Sequence, residues 1–156
     1  MKINILSLIF LITFVSSCGF KAVNQNYLKD YKLVNLSIEG DQKFNLVLKN
    51  KLNSISNIAG SNLITLEIST KKVKSIKEKN IKNQIAKYKI EIVADVKYVL
   101  VDKDKNGFFK IKRIGSYSVG DKHTQTLNNE KKLIKNLSSE VSKQIQKSLI
   151  IAINDL

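Results

Sequence analysis

Residues 87–102, KYKIEIVADVKYVLVD, alternate between apolar and polar side chains. Tyr88, Ile90, Ile92, Ala94, Val96, Tyr98 and Leu100 occupy every second position. Lys87, Lys89, Glu91, Asp95 and Lys97 stand between them. Successive side chains of a β-strand point to opposite faces, so this period predicts one long strand with a single buried face. A chain carrying such a strand must also supply neighbouring strands and a cover for that face.

The remaining signals provide both. Leu33 to Ile38 reads as a short strand ended by Gly40, and Asp41 suits the N-cap of a following helix. Phe44, Leu48, Leu52, Ile55 and Ala59 trace one apolar stripe of that helix, which stops at Gly60. Ile64, Leu66 and Ile68 alternate with Thr65, Glu67 and Ser69, giving a second strand with one buried face. After the long strand, Asn106-Gly107 is a hairpin signal. Phe109, Ile111, Tyr117 and Val119 mark the return strand, and its uncertain phase between Arg113 and Gly115 points to a bulge. Ile134, Leu137, Val141, Ile145, Leu149 and Ala152 trace a final helix from about Asn129 to Asn154. The order β-α-β-β-β-α predicts an α+β fold, a four-stranded mixed sheet with two helices packed on one face. Strands two to four form a meander. The loop 71–84 and the connection 119–128 are therefore expected at one end of the sheet, and the 102–107 hairpin at the other.

The chain opens MKINILSLIFLITFVSSCGFKAV. Lys2 precedes an apolar core from Ile3 to Val15, shorter than the ~20 residues a bilayer-spanning helix needs. A basic start, a short apolar core and a small-residue exit describe a bacterial export signal. Its exit, Val15-Ser16-Ser17-Cys18, resembles the lipobox of bacterial lipoproteins, where the cysteine thiol accepts a diacylglycerol and becomes the acylated N-terminus. Cys18 is the only cysteine, so it can form no internal disulfide. The expected organisation is a signal peptide over 1–17, a lipidated tether over 18–32 and one α+β domain over 33–156. Several acyl chains hold a protein stably on a membrane where one does not. Gly19 follows the cysteine in place of the aspartate of an inner-membrane retention signal, which favours a periplasm-facing place on the outer membrane. No cofactor is expected beyond the covalent lipid on Cys18.

The formal net charge is +14, from 27 basic and 13 acidic residues, and Arg113 is the single arginine. Lysine, asparagine and isoleucine share AT-rich codons, so genome composition accounts for part of this bias. A surface so charged attracts anionic headgroups and phosphates. Nucleic acid is disfavoured because no aromatic residues interleave the lysines, as base stacking would require. Asp102, Asp104 and Asn106-Gly107 match the opening of a calcium-binding loop, but its twelfth position is Arg113 where a bidentate glutamate is needed. His123 is the only histidine, so neither a histidine metal site nor a histidine-based nucleophile system can be assembled. No acid pair sits in a pocket-forming context, and the chain is read as noncatalytic.

The segment KKVKSIKEKNIK, residues 71–82, holds six lysines and one acid, Glu78. It is either a solvated loop of a lysine-rich protein or a phosphate-binding tip. Lys122 and His123 come from the connection expected at the same sheet end, extending the basic rim. Lysine meets phosphate as a point charge and lacks the bidentate fork of arginine.

The lipobox with Cys18-Gly19-Phe20, the β-α-β opening, Ala86-x-Tyr88-x-Ile90, Tyr98-Val99-Leu100, Ser116-Tyr117 and the long last helix together resemble the lipopolysaccharide-assembly lipoprotein LptE family. That resemblance implies a plug-like partner of the LptD β-barrel that assists lipopolysaccharide delivery. In the family, basic residues before the long strand and near the last helix are implicated in lipopolysaccharide contact. The nearest matches are Lys79 and Lys82 in the first place and Lys122 in the second, while Ile81 and Leu127 stand at the most closely aligned positions. With Lys74 and Lys77, those three lysines are the candidate lipopolysaccharide-binding residues. Two other readings fit an anchored basic domain: an auxiliary lipoprotein of an ABC-type lipid transporter, and a free anion-binding envelope module.

Overall fold

The computed structural model describes residues 31–54, 60 and 62–154. Strand β1 spans Tyr31–Glu39, helix α1 Gln42–Asn53, β2 Asn62–Lys79, β3 Ile85–Leu100, β4 Lys105–Ser118 and helix α2 His123–Asn154. The sheet order is β1-β2-β3-β4, with β1 parallel to β2 and the other pairs antiparallel. A parallel pair needs a crossover, and α1 provides it. This is the expected α+β fold. The signal segment, Cys18 and the tether up to Asp30 lie outside the described residues, as do Ile55 and Ala59 of the expected first stripe.

β1 starts at Tyr31, so Tyr31 and Lys32, expected in the tether, belong to the sheet, and Tyr31 is buried in the core. Gly40 turns the chain at a φ of +114°, and a Cβ there would lie 2.0 Å from the Thr70 carbonyl oxygen. Only glycine meets both conditions. Asp41 caps α1 as expected, its carboxylate accepting from the Phe44 N–H at 2.9 Å. The helix ends at Asn53, short of the expected Gly60, where the Ser54 N–H and hydroxyl return to the carbonyls of Asn50 and Lys51.

Four local expectations are corrected. Residues 71–79 are strand, not loop: β2 continues to Lys79 in antiparallel pairing with β3, and only Asn80–Gln84 turn. The next hairpin turns at Val101–Asp104, with Asp104 left-handed at φ 47°; Asn106 and Gly107 are paired with Val99 and Tyr98. Gly107 serves the sheet differently, because a Cβ there would lie 2.3 Å from the Tyr98 hydroxyl oxygen. No bulge interrupts β4, whose register with β3 is unbroken from Lys105 to Ser118. Arg113 and Gly115 occupy core-side positions in phase with Ile111 and Tyr117; Gly115 admits the Leu133 side chain, and Arg113 donates to Gln144 Oε1 at 3.0 Å. Finally, α2 begins at His123, leaving a connection of only 119–122.

Both helices cover one face of the sheet. Phe44 and Leu48 of α1, Ile64, Leu66, Ile68, Ile90, Ile92, Ala94 and Val96 of the strands, and Leu137, Val141 and Ile145 of α2 form one continuous core. Each of these side chains larger than alanine contributes about 1.5–3 kcal/mol by leaving water. Ser138 and Ser142 of α2 are also buried, and the Ser138 hydroxyl donates to the Phe44 carbonyl at 3.5 Å. The small serines let the two helices approach closely. Among the described residues no helix covers the opposite sheet face, which exposes Val73, Val99, Phe108 and Ile114 among charged residues.

Candidate functional site: a basic hairpin tip

β1 ends opposite Ser69, yet β2 runs ten residues further. The β2–β3 ribbon therefore projects past β1 and α1. The inner face of β2 changes character on the way, while Ala94, Ile92 and Ile90 opposite it on β3 stay buried. Ile64, Leu66 and Ile68 are buried; the next inner positions are Thr70, Lys72 and Lys74. Each has a fixed partner. The Thr70 hydroxyl is 3.0 Å from the Glu39 carbonyl and 2.7 Å from Asn45 Oδ1, and Lys72 pairs with Asp41 at 2.6 Å. Lys74 pairs with Glu130 of α2 at 2.7 Å and lies 4.4 Å above the Tyr88 ring and 5.4 Å from that of Tyr117. Tyr117 donates to the same Glu130 oxygen at 2.7 Å and stacks on Tyr88 with centroids 5.6 Å apart.

This cluster sets its own protonation. Burial alone would raise the Glu130 carboxyl, but hydrogen bonds from Lys74 and Tyr117 outweigh it and hold the group below its ordinary value. Burial would lower the Lys74 ammonium, and the bonds to Glu130 and Tyr117 raise it instead. The Tyr117 phenol is raised, first by burial and then by the Glu130 carboxylate. Lys74, a candidate ligand from the sequence, is thus committed to an internal ion pair.

The turn beyond it is tightly built. Asn80 N–H donates to the Gln84 carbonyl at 2.8 Å, and Asn83 N–H to the Asn80 carbonyl at 2.9 Å. The Asn80 side-chain oxygen accepts from the N–H groups of Lys82 and Gln84 at 3.0 and 2.9 Å. Asn83 takes the left-handed φ of 59° that such a turn demands and that asparagine tolerates. Lys79 Nζ donates to Asn83 Oδ1 at 3.0 Å, and Lys77 Nζ to Ser116 Oγ at 3.0 Å. Glu78, the one acid of the segment, is taken by Lys87 at 2.6 Å. Among the described residues, none of Lys77, Lys79, Lys82 or Lys122 forms an ion pair.

The connection to α2 lies at the same sheet end, as expected: Ser118 is paired with Lys87, and Val119 N–H donates to the Ala86 carbonyl at 2.9 Å. There the Lys122 carbonyl accepts from Gln125 and Thr126 N–H groups, and the Gly120 N–H donates to Thr126 Oγ1 at 2.9 Å. Lys77, Lys79 and Lys82 on the ribbon and Lys122 on the connection thus occupy one end of the molecule. His123 is the first residue of α2. Sequence reasoning missed Glu130, Tyr117 and Tyr88 as the partners of Lys74, and nothing local to Lys74 signals a carboxylate 56 positions away. The tip offers positive charge on a rigid support. Its lysine ammonium groups can attract anions.

No family model matches the chain, and no curated protein does. Solved structures do. The chain is similar to the rare lipoprotein B of Shewanella oneidensis, at 15% identity and a TM-score of 0.57 over 78% of this chain and 97% of that one. It is also similar to a Caulobacter crescentus protein provisionally described as a lipoprotein, at 12% identity and a TM-score of 0.60 over 83% and 95%. A third neighbour is the uncharacterized lipoprotein B of Nitrosomonas europaea, at 10% identity and a TM-score of 0.51 over 79% and 84%. At these identities the likeness establishes the fold, and the fold is one found in bacterial lipoproteins.

Proposed function

We propose that the protein is a noncatalytic outer-membrane lipoprotein, anchored through Cys18, that partners an LptD-like β-barrel in lipopolysaccharide assembly. Rare lipoprotein B is another name for the LptE family that the sequence resembles, and the fold likeness to it carries this reading. The basic tip supports the ligand: four exposed lysines that form no ion pair among the described residues stand on a braced hairpin and its neighbouring connection. Lysine ammonium groups there attract the phosphates of lipid A as point charges. The mechanism is electrostatic capture by the tip while the folded body occupies the barrel.

The deciding experiment is a crosslinking pull-down from membranes with the lipidated protein. Recovery of a large outer-membrane barrel is the expected result. Recovery with an inner-membrane ABC complex would replace this function with that of an auxiliary lipoprotein of a lipid transporter.

A further inference from the structure

Ile81 sits at the vertex of the β2–β3 turn with 102% relative exposure, the most exposed large apolar side chain among the described residues. Single exposed apolar residues are ordinary on protein surfaces; this one is distinguished by where it stands. The Asn80–Gln84 hydrogen bonds fix the backbone that presents it, and Lys79 and Lys82 flank it. Ile76, Val119 and Leu127, at the same end of the sheet, are 50%, 38% and 42% exposed. A site for bare phosphate would gain nothing from an apolar vertex. Apolar side chains ringed by ammonium groups fit the boundary between anionic headgroups and acyl chains. Residues 76–85 contain no aromatic residue and no arginine, the types that dominate protein–protein anchors.

We infer that Ile81 enters the acyl region of lipopolysaccharide while Lys79 and Lys82 hold its phosphates. The tip thus recognises an amphiphile and not phosphate alone. This rests on the reading of the tip given above and adds to it the residue that distinguishes a lipid from a soluble polyanion.

The chain has no tryptophan, so I81W introduces a single fluorophore at the vertex and V101W places one in the opposite hairpin. Both full-length lipidated variants are reconstituted in phosphatidylcholine vesicles with and without lipopolysaccharide. For I81W, emission shifts to the blue and is quenched by brominated acyl chains when lipopolysaccharide is present; V101W does not respond to it. Ile81→Ser weakens lipopolysaccharide binding about tenfold, the size expected for one aliphatic side chain leaving water, and leaves binding of inorganic polyphosphate unchanged. A water-exposed I81W emission in lipopolysaccharide vesicles overturns the inference. If Lys79→Glu, Lys82→Glu and Lys122→Glu together still abolish binding in that case, the basic-tip reading survives without it. If neither set of substitutions changes binding, the tip reading itself falls. A blue shift that appears only on adding a protein partner also overturns the inference, assigning the vertex to a protein contact.

Discussion

The two halves of β2 pair with β3 in one register and one alternation from Ile64 to Ile76, yet they are held to the rest of the molecule by different forces. In the lower half Ile64, Leu66 and Ile68 of β2 lie opposite Leu100, Tyr98 and Val96 of β3, and almost nothing of the three β2 side chains is exposed. In the upper half the same inner positions carry Thr70, Lys72 and Lys74, each tied by hydrogen bonds or an ion pair to β1, α1 or α2. Burial needs cover on all sides, and β1 and α1 stop where the upper half begins. Ion pairs at the margin of the core brace the ribbon without that cover. The tip can therefore remain open to a ligand and still be rigid.

This contrast predicts a ranking. Ile68→Ala, in the buried lower half, should cost about 2–5 kcal/mol, read as a fall in the urea midpoint at unchanged slope. In the upper half, Glu130→Ala leaves Lys74 and Tyr117 without their acceptor, and partial exposure keeps the loss to about 1–2 kcal/mol. Equal losses from the two substitutions would erase the distinction between the halves. The same carboxylate makes stability depend on pH. Its folded value is depressed below the ordinary 4.5, so the stability it contributes is fully present above 4.5 and is lost as pH falls through the folded value. Asp41 behaves alike below its ordinary 3.8, held down by Lys72 and the Phe44 N–H against the opposing effect of burial. Glu130→Gln should therefore flatten part of the acid limb of a stability–pH profile. A profile identical to that of the native chain would show that the cluster contributes nothing to acid sensitivity.

The lower half of β2 was legible in the sequence and its upper half was not, for the same physical reason. Alternation is visible only where the buried side is apolar. Ile90 to Leu100 and Ile64 to Ile68 announce their strands, and Phe44, Leu48 and Leu52 announce α1 with Asp41 as its cap. Past Ile68 the inner positions are Thr70, Lys72 and Lys74, so residues 71–79 read as a charged loop although their backbone continues the sheet. Arg113 and Gly115 hide the phase of β4 in the same way, since their inward places are filled by Gln144 and Leu133 from a distant helix. The Asn106-Gly107 pair misled because its glycine answers to the Tyr98 ring across the strand pair and not to a turn. The first turns of α2 offer little apolar periodicity; their tertiary ties are polar, from Thr126 to Gly120 and from Asn129 to the Ser118 carbonyl. Of the candidate site, the concentration of lysines was legible and their division of labour was not. Separating the braced Lys74 from the free Lys82 required knowing which carboxylate the fold brings near.

That division makes the smallest stability effect the most informative about the tip. Lys79, Lys82 and Lys122 form no ion pair with any described residue, and all three are exposed. Replacing them together by glutamate should change stability by about 0.5 kcal/mol or less, the usual range for surface substitutions. The effect on lipopolysaccharide binding should be far larger, because three charges change sign where an anion must approach. The loss should be greatest at low salt and shrink as salt screens the exposed charges within about 10 Å at 0.1 M. Lys74→Gln provides the opposite signature: stability falls with the broken Glu130 pair, while binding at the tip is largely retained. If Lys74→Gln instead abolishes binding and the triple substitution does not, the ligand sits on the inner face of the ribbon, and the boundary between brace and binding surface lies higher than Lys74.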